Sequence, residues 1–174
     1  MRKTFKQVIT MIMLAILTAA PTYASCGPDI CLGPCNYEEL LFDTRFSGNC
    51  PEWSWTGAAG RVKVGSNWLA ELSGTGSVSQ TVSTGDYSEM DVAFQVYVNS
   101  TTPTTARLYV EILRGSTVLE TVAIIYPQSN TTYYSMYIGN YSNDNITMRF
   151  RYQAGTNPGG TVFRVDNATM FGGF

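Results

Sequence analysis

The sequence predicts an all-β fold, a two-layer antiparallel β-sandwich. Short runs rich in Val, Thr and Tyr recur along the chain between Gly and Asn turn residues, which is typical of strands joined by tight turns. Apolar and polar residues alternate with a period of two in the later runs, which indicates one buried and one solvated face for each strand. No window shows the periodicity of an amphipathic helix.

Two segments precede the predicted sandwich. Residues 1–24 are organised as a signal peptide, with a basic start, an apolar run too short to span a bilayer and a small residue at the cleavage position. Residues 25–37 are rich in Cys, Gly and Pro and predict a short irregular lead-in. Residues 38–174 form the predicted domain. We therefore expect a protein that is secreted or displayed at the cell surface, without a transmembrane segment.

The charge balance argues against two classes of partner. Of the 11 basic residues, three lie in the signal peptide, so 8 remain against 13 acidic residues, a net charge of −5. Nucleic acid and anionic lipid both favour a basic surface. The sequence also contains no histidine, which excludes histidine-dependent nucleophilic catalysis and histidine-ligated metals. Carboxylate chemistry remains open.

All four cysteines, Cys26, Cys31, Cys35 and Cys50, lie near the mature N-terminus. In an exported protein we expect two disulfides that pin the lead-in to the domain, with three pairings open. A zinc site lacks the close Cys-x-x-Cys pairs that such sites use. The small residues before Cys26 leave a lipid anchor at that cysteine open, although Tyr23 stands where such signals usually have Leu.

From residue 40 onward the chain divides into about ten short strand patterns. The predicted strands are 40–46, 53–56, 61–64, 68–72, 77–82, 90–98, 106–113, 117–126, 132–138, 146–153 and 161–171. A turn at 57–60 separates the second from the third, and Gly74 and Gly76 separate the fourth from the fifth. The alternation predicts a core that contains Phe94, Val96, Val110, Ile112, Met148, Phe150 and Val165.

Three short motifs carry a family resemblance. Residues 43–46 read DTRF and precede a Trp-Ser-Trp run, residues 76–82 read GSVSQTV and precede a turn and Tyr87, and residues 163–170 read FRVDNATM. These motifs resemble strands of galactose-binding-like jelly-roll domains, the group that includes many bacterial carbohydrate-binding modules. The resemblance implies a jelly-roll fold and a carbohydrate partner.

The same resemblance implies a structural calcium ion held in part by Asp166 and Asp43. Members of the group often place a Glu after the Phe of the opening strand, whereas Ser47 follows Phe46 here. Because calcium takes six to eight oxygen ligands, two carboxylates would need help from backbone carbonyls. A purely structural role for Asp166 stays open.

The solvated strand faces supply what a sugar site needs, namely flat aromatic rings and planar polar groups. If the strands 90–98 and 106–113 pair as a hairpin, Tyr97 lies opposite Arg107 across it. We predict a shallow glycan groove on this face. Its candidate residues are Gln95, Tyr97, Arg107, Tyr109, Glu111, Arg149 and Arg151. Cross-strand pairs of such residues also stabilise sheets without a ligand, so a structural role is the alternative.

The remaining aromatic residues divide between core and surface. We expect at least one of the three tryptophans in the core. Tyr134 shares a strand face with Met136 and Ile138 and is expected in the core as well. Tyr133 and Tyr137 lie on the opposite face, where they could line a sugar site.

These observations predict a secreted, non-catalytic module that recognises a polysaccharide or glycan. The alternative is a structural or adhesive extracellular protein with the same fold and a protein partner. A glycosidase ranks third, because the acids are scattered and no motif pairs two carboxylates.

Overall fold

The computed structural model describes residues 37–48, 52–100, 104–127, 131–156 and 160–174. The predicted signal peptide and the predicted disulfide cysteines lie outside these ranges, as does the lead-in except for its last residue. Within the ranges the regular structure is all strand, as predicted. None of the described residues belongs to a helix that could span a membrane.

Nine strands form the described part of the chain. They are β1 (Tyr37–Glu39), β2 (Ser54–Val64), β3 (Asn67–Ser83), β4 (Glu89–Ser100), β5 (Arg107–Arg114), β6 (Thr117–Ile125), β7 (Thr131–Ile138), β8 (Asn145–Gln153) and β9 (Thr161–Gly173). Their order is β6-β5-β8-β3-β9-β4-β7, with β1 beside β9 and β2 beside β3. Every pairing is antiparallel.

Strand β3 belongs to both layers of the sandwich. Its residues 76–83 pair with β8, and its residues 70–72 pair with β9. One layer therefore contains β6, β5, β8 and the second half of β3, and the other contains β7, β4, β9 and the first half. Strand β2 pairs with β3 through both halves. The predicted two-layer antiparallel sandwich is confirmed.

The core lies between these two layers. Phe94 of β4 and Phe150 of β8 meet edge-to-face, with ring centroids 5.3 Å apart. Such a pair contributes about 0.5–1.5 kcal/mol beyond the burial of its area. The seven predicted core residues are each at most 1% exposed, so that prediction is confirmed. Trp53 is also buried, at 5% exposed, which confirms the expectation of a core tryptophan.

The predicted turn at 57–60 and the predicted break at Gly74 and Gly76 are wrong. Strands β2 and β3 run through both places, with a β-bulge between Gly57 and Ala59. A Cβ on Gly76 would lie 2.3 Å from the carbonyl oxygen of Thr56, so glycine here permits a close approach of two backbones. Glycine clusters serve bulges and close contacts as well as turns, and the sequence pattern does not distinguish them.

The predicted first strand at 40–46 is also wrong. Strand β1 ends at Glu39, and residues 40–48 form a loop. Asp43 and Phe46 have φ angles of 49° and 52°, in the left-handed region that a strand does not use.

Buried side chains, and not strand pairing, hold this loop in place. Gln80, 3% exposed, accepts from the backbone N–H of Phe42 at 2.7 Å and donates to its carbonyl at 2.8 Å. The Trp53 indole N–H donates to the carbonyls of Phe42 and Asp43, both at 3.0 Å. The fully buried ring of Phe46 packs 4.6 Å from that of Trp53. The apolar pattern of 40–46 thus reflects burial in the core without strand geometry.

We predict that Gly76→Ala destabilises the protein by about 1–3 kcal/mol, because the added methyl group meets backbone atoms that cannot rotate away. Gly60→Ala is the matched control, since a Cβ on Gly60 meets nothing within 4 Å. Its effect should stay within about 0.5 kcal/mol. Urea unfolding of the two variants measures both free energies. Equal stabilities would show that the contact between β2 and β3 does not constrain the fold.

Candidate functional site

The predicted hairpin between strands 90–98 and 106–113 is wrong. Strand β4 pairs with β7 and β9, whereas β5 pairs with β6 and β8. The two strands lie in opposite layers, so the seven candidate residues divide between two outer faces. Period-two alternation shows which side of a strand faces the core, but it does not show which strand lies beside it.

The first of these outer faces, which we call the tyrosine face, belongs to β4 and β7. Its residues are Gln95 and Tyr97, which were candidates, and Tyr133 and Tyr137. Gln95 lies directly opposite Tyr133 in the β4–β7 pairing. Tyr133 and Tyr137 are 64% and 60% exposed. On the inner side of the same strand, Tyr134 stacks on Phe94 at 5.1 Å, as the alternation predicted.

The second outer face, which we call the arginine face, belongs to β5 and β8 and holds the other five candidates: Arg107, Tyr109, Glu111, Arg149 and Arg151. Glu111 lies opposite Arg149, and Tyr109 lies opposite Arg151. The Arg151 guanidinium sits 4.5 Å from the centre of the Tyr109 ring. The Arg107 guanidinium lies 5.0 Å from the ring of Tyr126. Arginine therefore already covers tyrosine on this face.

Glu111 is the buried centre of the arginine face, at 3% exposed. Arg149 donates to Oε2 from Nε at 2.9 Å, and its Nη2 lies 2.7 Å from the same oxygen. Arg151 donates to Oε2 from Nε at 3.1 Å and to Oε1 from Nη2 at 2.6 Å. Burial by itself raises the pKa of Glu111, but the hydrogen bonds from Arg151 and Arg149 outweigh it and hold the pKa below its ordinary value.

A third region, which we call the loop cleft, has a volume of about 370 Å³. Its lining residues are Arg45, Ser47, Ser66, Asn67, Trp68, Asp166 and Asn167. Arg61 covers the Trp68 ring at 4.4 Å from its centre. The Asn167 side-chain N–H donates to Gln95 Oε1 at 3.4 Å, so the cleft borders the tyrosine face. Most of these polar residues lie in loops or at strand ends, where sequence periodicity gives no signal.

The two predicted calcium ligands have different surroundings. The Asp43 carboxylate accepts three hydrogen bonds from its own loop, two from the N–H and hydroxyl of Ser47 and one from the N–H of Gly48. Three of its about four acceptor sites thus already serve the loop, which leaves little of this carboxylate for an ion. Asp166 is 4% exposed and accepts from the N–H of Asn167. Burial raises the pKa of Asp166, opposed by that N–H and by Arg45.

No group of three or more Asp, Glu, His or Cys residues in the described ranges could hold a metal ion. A calcium ion would therefore depend on Asp166 and on carbonyl oxygens, and it stays a prediction.

We predict that, if calcium binds, calcium raises the melting temperature of the chelator-stripped protein and Asp166→Asn abolishes that response. Binding to the folded state alone stabilises it in proportion to ligand concentration. Differential scanning calorimetry across a calcium series measures the shift, with magnesium as the control ion. A melting temperature that does not respond to calcium would leave Asp166 with a structural role only.

We predict that Glu111→Gln lowers the free energy of unfolding at neutral pH by about 1–3 kcal/mol, because it weakens charge-assisted hydrogen bonds at a buried position. Glu71→Gln is the matched control. Glu71 pairs with Arg164 at 2.8 Å, but both side chains are more than a quarter exposed, so its loss should stay below about 1 kcal/mol. Urea unfolding compares the two variants.

The pH dependence of Glu111→Gln follows from the lowered pKa of Glu111. A carboxylate with a lowered folded-state pKa stabilises the fold above its ordinary pKa and loses that contribution as the pH falls through the folded value. The stability difference between wild type and Glu111→Gln should therefore shrink in acid. A difference that stays constant down to pH values well below the ordinary glutamate pKa would contradict this assignment.

No protein-family model and no curated protein matches the sequence. Among solved structures, the chain is similar to TmCBM61 in complex with beta-1,4-galactotriose, at a TM-score of 0.52 and 12% identity over 70% of this chain and 89% of that chain. It is similar to the CBM36-1 domain of a multidomain xylanase from the hindgut metagenome of Trinervitermes trinervoides, at 0.51 and 20% identity over 72% and 94%.

The arabinose-bound MgGH51 α-L-arabinofuranosidase is also similar, at a TM-score of 0.53 and 14% identity over 76% of this chain but only 26% of that enzyme. At these identities the similarity shows the fold alone. It confirms the predicted jelly roll that resembles carbohydrate-binding modules.

Proposed function

We propose that this protein is a secreted, non-catalytic module that binds a polysaccharide or glycan on its tyrosine face. One observation carries the proposal: Tyr133 and Tyr137 lie on the same side of β7 with 64% and 60% of their surface exposed. Exposed aromatic rings in a row suit the C–H faces of sugars, because each ring offers a flat apolar surface. The similarity to TmCBM61, whose structure holds a galactotriose, supports this choice of ligand class.

The spacing of the two tyrosines suits an extended ligand. They are four residues apart on one strand, which corresponds to about 13 Å. A chain of several sugar rings covers that distance. Gln95 lies beside Tyr133 and offers both a donor and an acceptor to hydroxyl groups. Its contact with Asn167 fixes the side-chain amide at the border with the loop cleft, so a longer ligand would continue into that cleft.

The arginine face suits a neutral sugar less well. The Arg151 guanidinium lies over Tyr109 and the Arg107 guanidinium lies near Tyr126, so a sugar would have to displace a cation before it could stack. No ring contact joins Tyr133 or Tyr137 to another aromatic or cationic side chain among the described residues. Tyr97, which is half-buried, adds a third ring beside them.

The salt bridges of several acidic side chains favour a binding function over catalysis. Glu111 is held by two arginines, and Asp144 and Glu71 are each held by one. Hydrolysis of a glycosidic bond usually needs two carboxyl groups that flank the bond, one of them with a raised pKa. In the loop cleft, Asp166 has a raised pKa, but it is the only carboxylate among the lining residues.

We predict that Tyr133→Ala and Tyr137→Ala each weaken polysaccharide binding about tenfold, the effect of losing roughly 1–2 kcal/mol of stacking. Both side chains are exposed, so the melting temperature should stay near that of the wild type. Affinity electrophoresis in gels that contain β-1,4-galactan, xylan, β-glucan or mannan measures the binding.

Tyr126→Ala is the matched control, because Tyr126 is also 50% exposed but lies beside Arg107. It should retain wild-type binding to the neutral polysaccharides. If none of the four polymers retards the wild type, the alternative of an adhesive protein with a protein partner replaces this proposal. If a polymer binds and both tyrosine variants bind it as tightly as the wild type does, the loop cleft is the site instead.

A further inference from the structure

The arginine face carries a surplus of positive charge. Arg149 and Arg151 share the single carboxylate of Glu111. No salt bridge in the described ranges joins Arg107 to an acid. Three guanidinium groups therefore stand against one carboxylate on this face. The remaining charge is opposite in sign to the net charge of −5 that the chain carries after the signal peptide.

The ion pairs elsewhere in the described ranges carry no such surplus. The two other ion pairs in the described part of the chain each contain one base and one acid. Arg114 pairs with Asp144, and Arg164 pairs with Glu71. Pairs of that kind leave no local excess of charge, so a mobile anion is drawn to the arginine face in preference to either of them.

Small hydroxyl side chains extend the arginine face across β3 and β2. Arg151 lies opposite Ser77, and Arg149 lies opposite Ser79. Ser77 in turn lies opposite Thr56, and their hydroxyl groups are hydrogen-bonded at 2.9 Å. From β5 to β2 this surface covers four strands, or about 14 Å. The cross-strand pairs that make up this surface include hydroxyl side chains and no acid other than Glu111.

Glu111 holds the two guanidinium groups in place and does not use all their donors. Each guanidinium has five N–H groups, and the contacts with Glu111 involve Nε and Nη2 of each. The side chains of Arg149 and Arg151 are 25% and 33% exposed, so part of each group faces solvent. The Tyr109 ring supports Arg151 from one side. The result is a pair of ordered cations whose conformational entropy is already reduced before a ligand arrives.

We propose that the arginine face is a second binding surface, for an anionic polysaccharide whose carboxylate or sulfate groups bind Arg149 and Arg151. Guanidinium groups bind such anions through paired N–H donors. The serine and threonine rows then meet the neutral hydroxyl groups of the same polymer. The surface lies on the opposite side of the sandwich from the tyrosine face, so it does not depend on the function proposed for that face.

Matched pairs of polymers test this proposal. Polygalacturonate is compared with its methyl ester, which has the same backbone without the charge, and dextran sulfate is compared with dextran. Affinity electrophoresis of the mature protein should show retardation by at least one acidic polymer and not by its neutral counterpart. Added sodium chloride should weaken the retardation, because it screens exposed charges. The two acidic polymers distinguish carboxylate from sulfate as the preferred group.

The decisive variant is Ser79→Glu, with Ser79→Gln as its control. Ser79 is half-buried on the outer face opposite Arg149, so the added carboxylate balances the charge of the Arg149–Arg151 pair without removing a partner of Glu111. Ser79→Glu should weaken binding of the acidic polymer at least about tenfold. Ser79→Gln has nearly the same size and should bind like the wild type. Melting curves of the two variants confirm that both are folded.

The two binding surfaces are separable in these experiments. Tyr133→Ala should still bind the acidic polymer, and Ser79→Glu should still bind the neutral polysaccharide. The proposal is overturned if neither acidic polymer binds, if the neutral counterparts bind equally well, or if Ser79→Glu binds like Ser79→Gln. Equal retardation by single-stranded DNA would also overturn it, because that would show unspecific attraction to any polyanion.

Discussion

Strand β3 is the element on which the rest of the structure depends, because it pairs in both layers. Its second half pairs with β8 and its first half with β9, and β2 accompanies it through the change. The close contact between Gly76 and Thr56 leaves no room for a side chain where the two strands bend. This path brings β4 and β8 face to face, so Phe94 and Phe150 meet in the core. An interruption of β3 would separate the layers and expose that core.

The same arrangement produces two outer faces with different chemistry. On β7, Tyr133 and Tyr137 are exposed and have no cationic partner among the described residues, whereas on β5 and β8 guanidinium groups lie near the rings. A tyrosine ring that is exposed to solvent offers its flat face to a sugar, whereas a ring covered by arginine already binds a cation. The two faces therefore suit ligands of different charge, although both carry tyrosines on antiparallel strands.

The loop at 40–48 connects the core to the surface. Gln80 and Trp53 hold the loop backbone through buried hydrogen bonds, and Phe46 fills the space beneath it. Arg45 and Ser47 of this loop then form one side of the cleft that contains Asp166. Core packing thus sets the position of that cleft. Buried side chains fix the loop, and the loop residues that line the cleft directly flank the buried Phe46.

The sequence by itself determined which side of most strands is buried, since alternation follows directly from the strand period of two residues. Phe94, Val96, Phe150 and Tyr134 lie inward for that reason, and Tyr133 and Tyr137 lie outward. Tertiary structure alone decided which strands are neighbours. The placement of β4 and β5 in opposite layers separated Gln95 and Tyr97 from Arg107, Tyr109 and Glu111. Strand pairing depends on contacts between residues far apart in the chain, and no local periodicity records them.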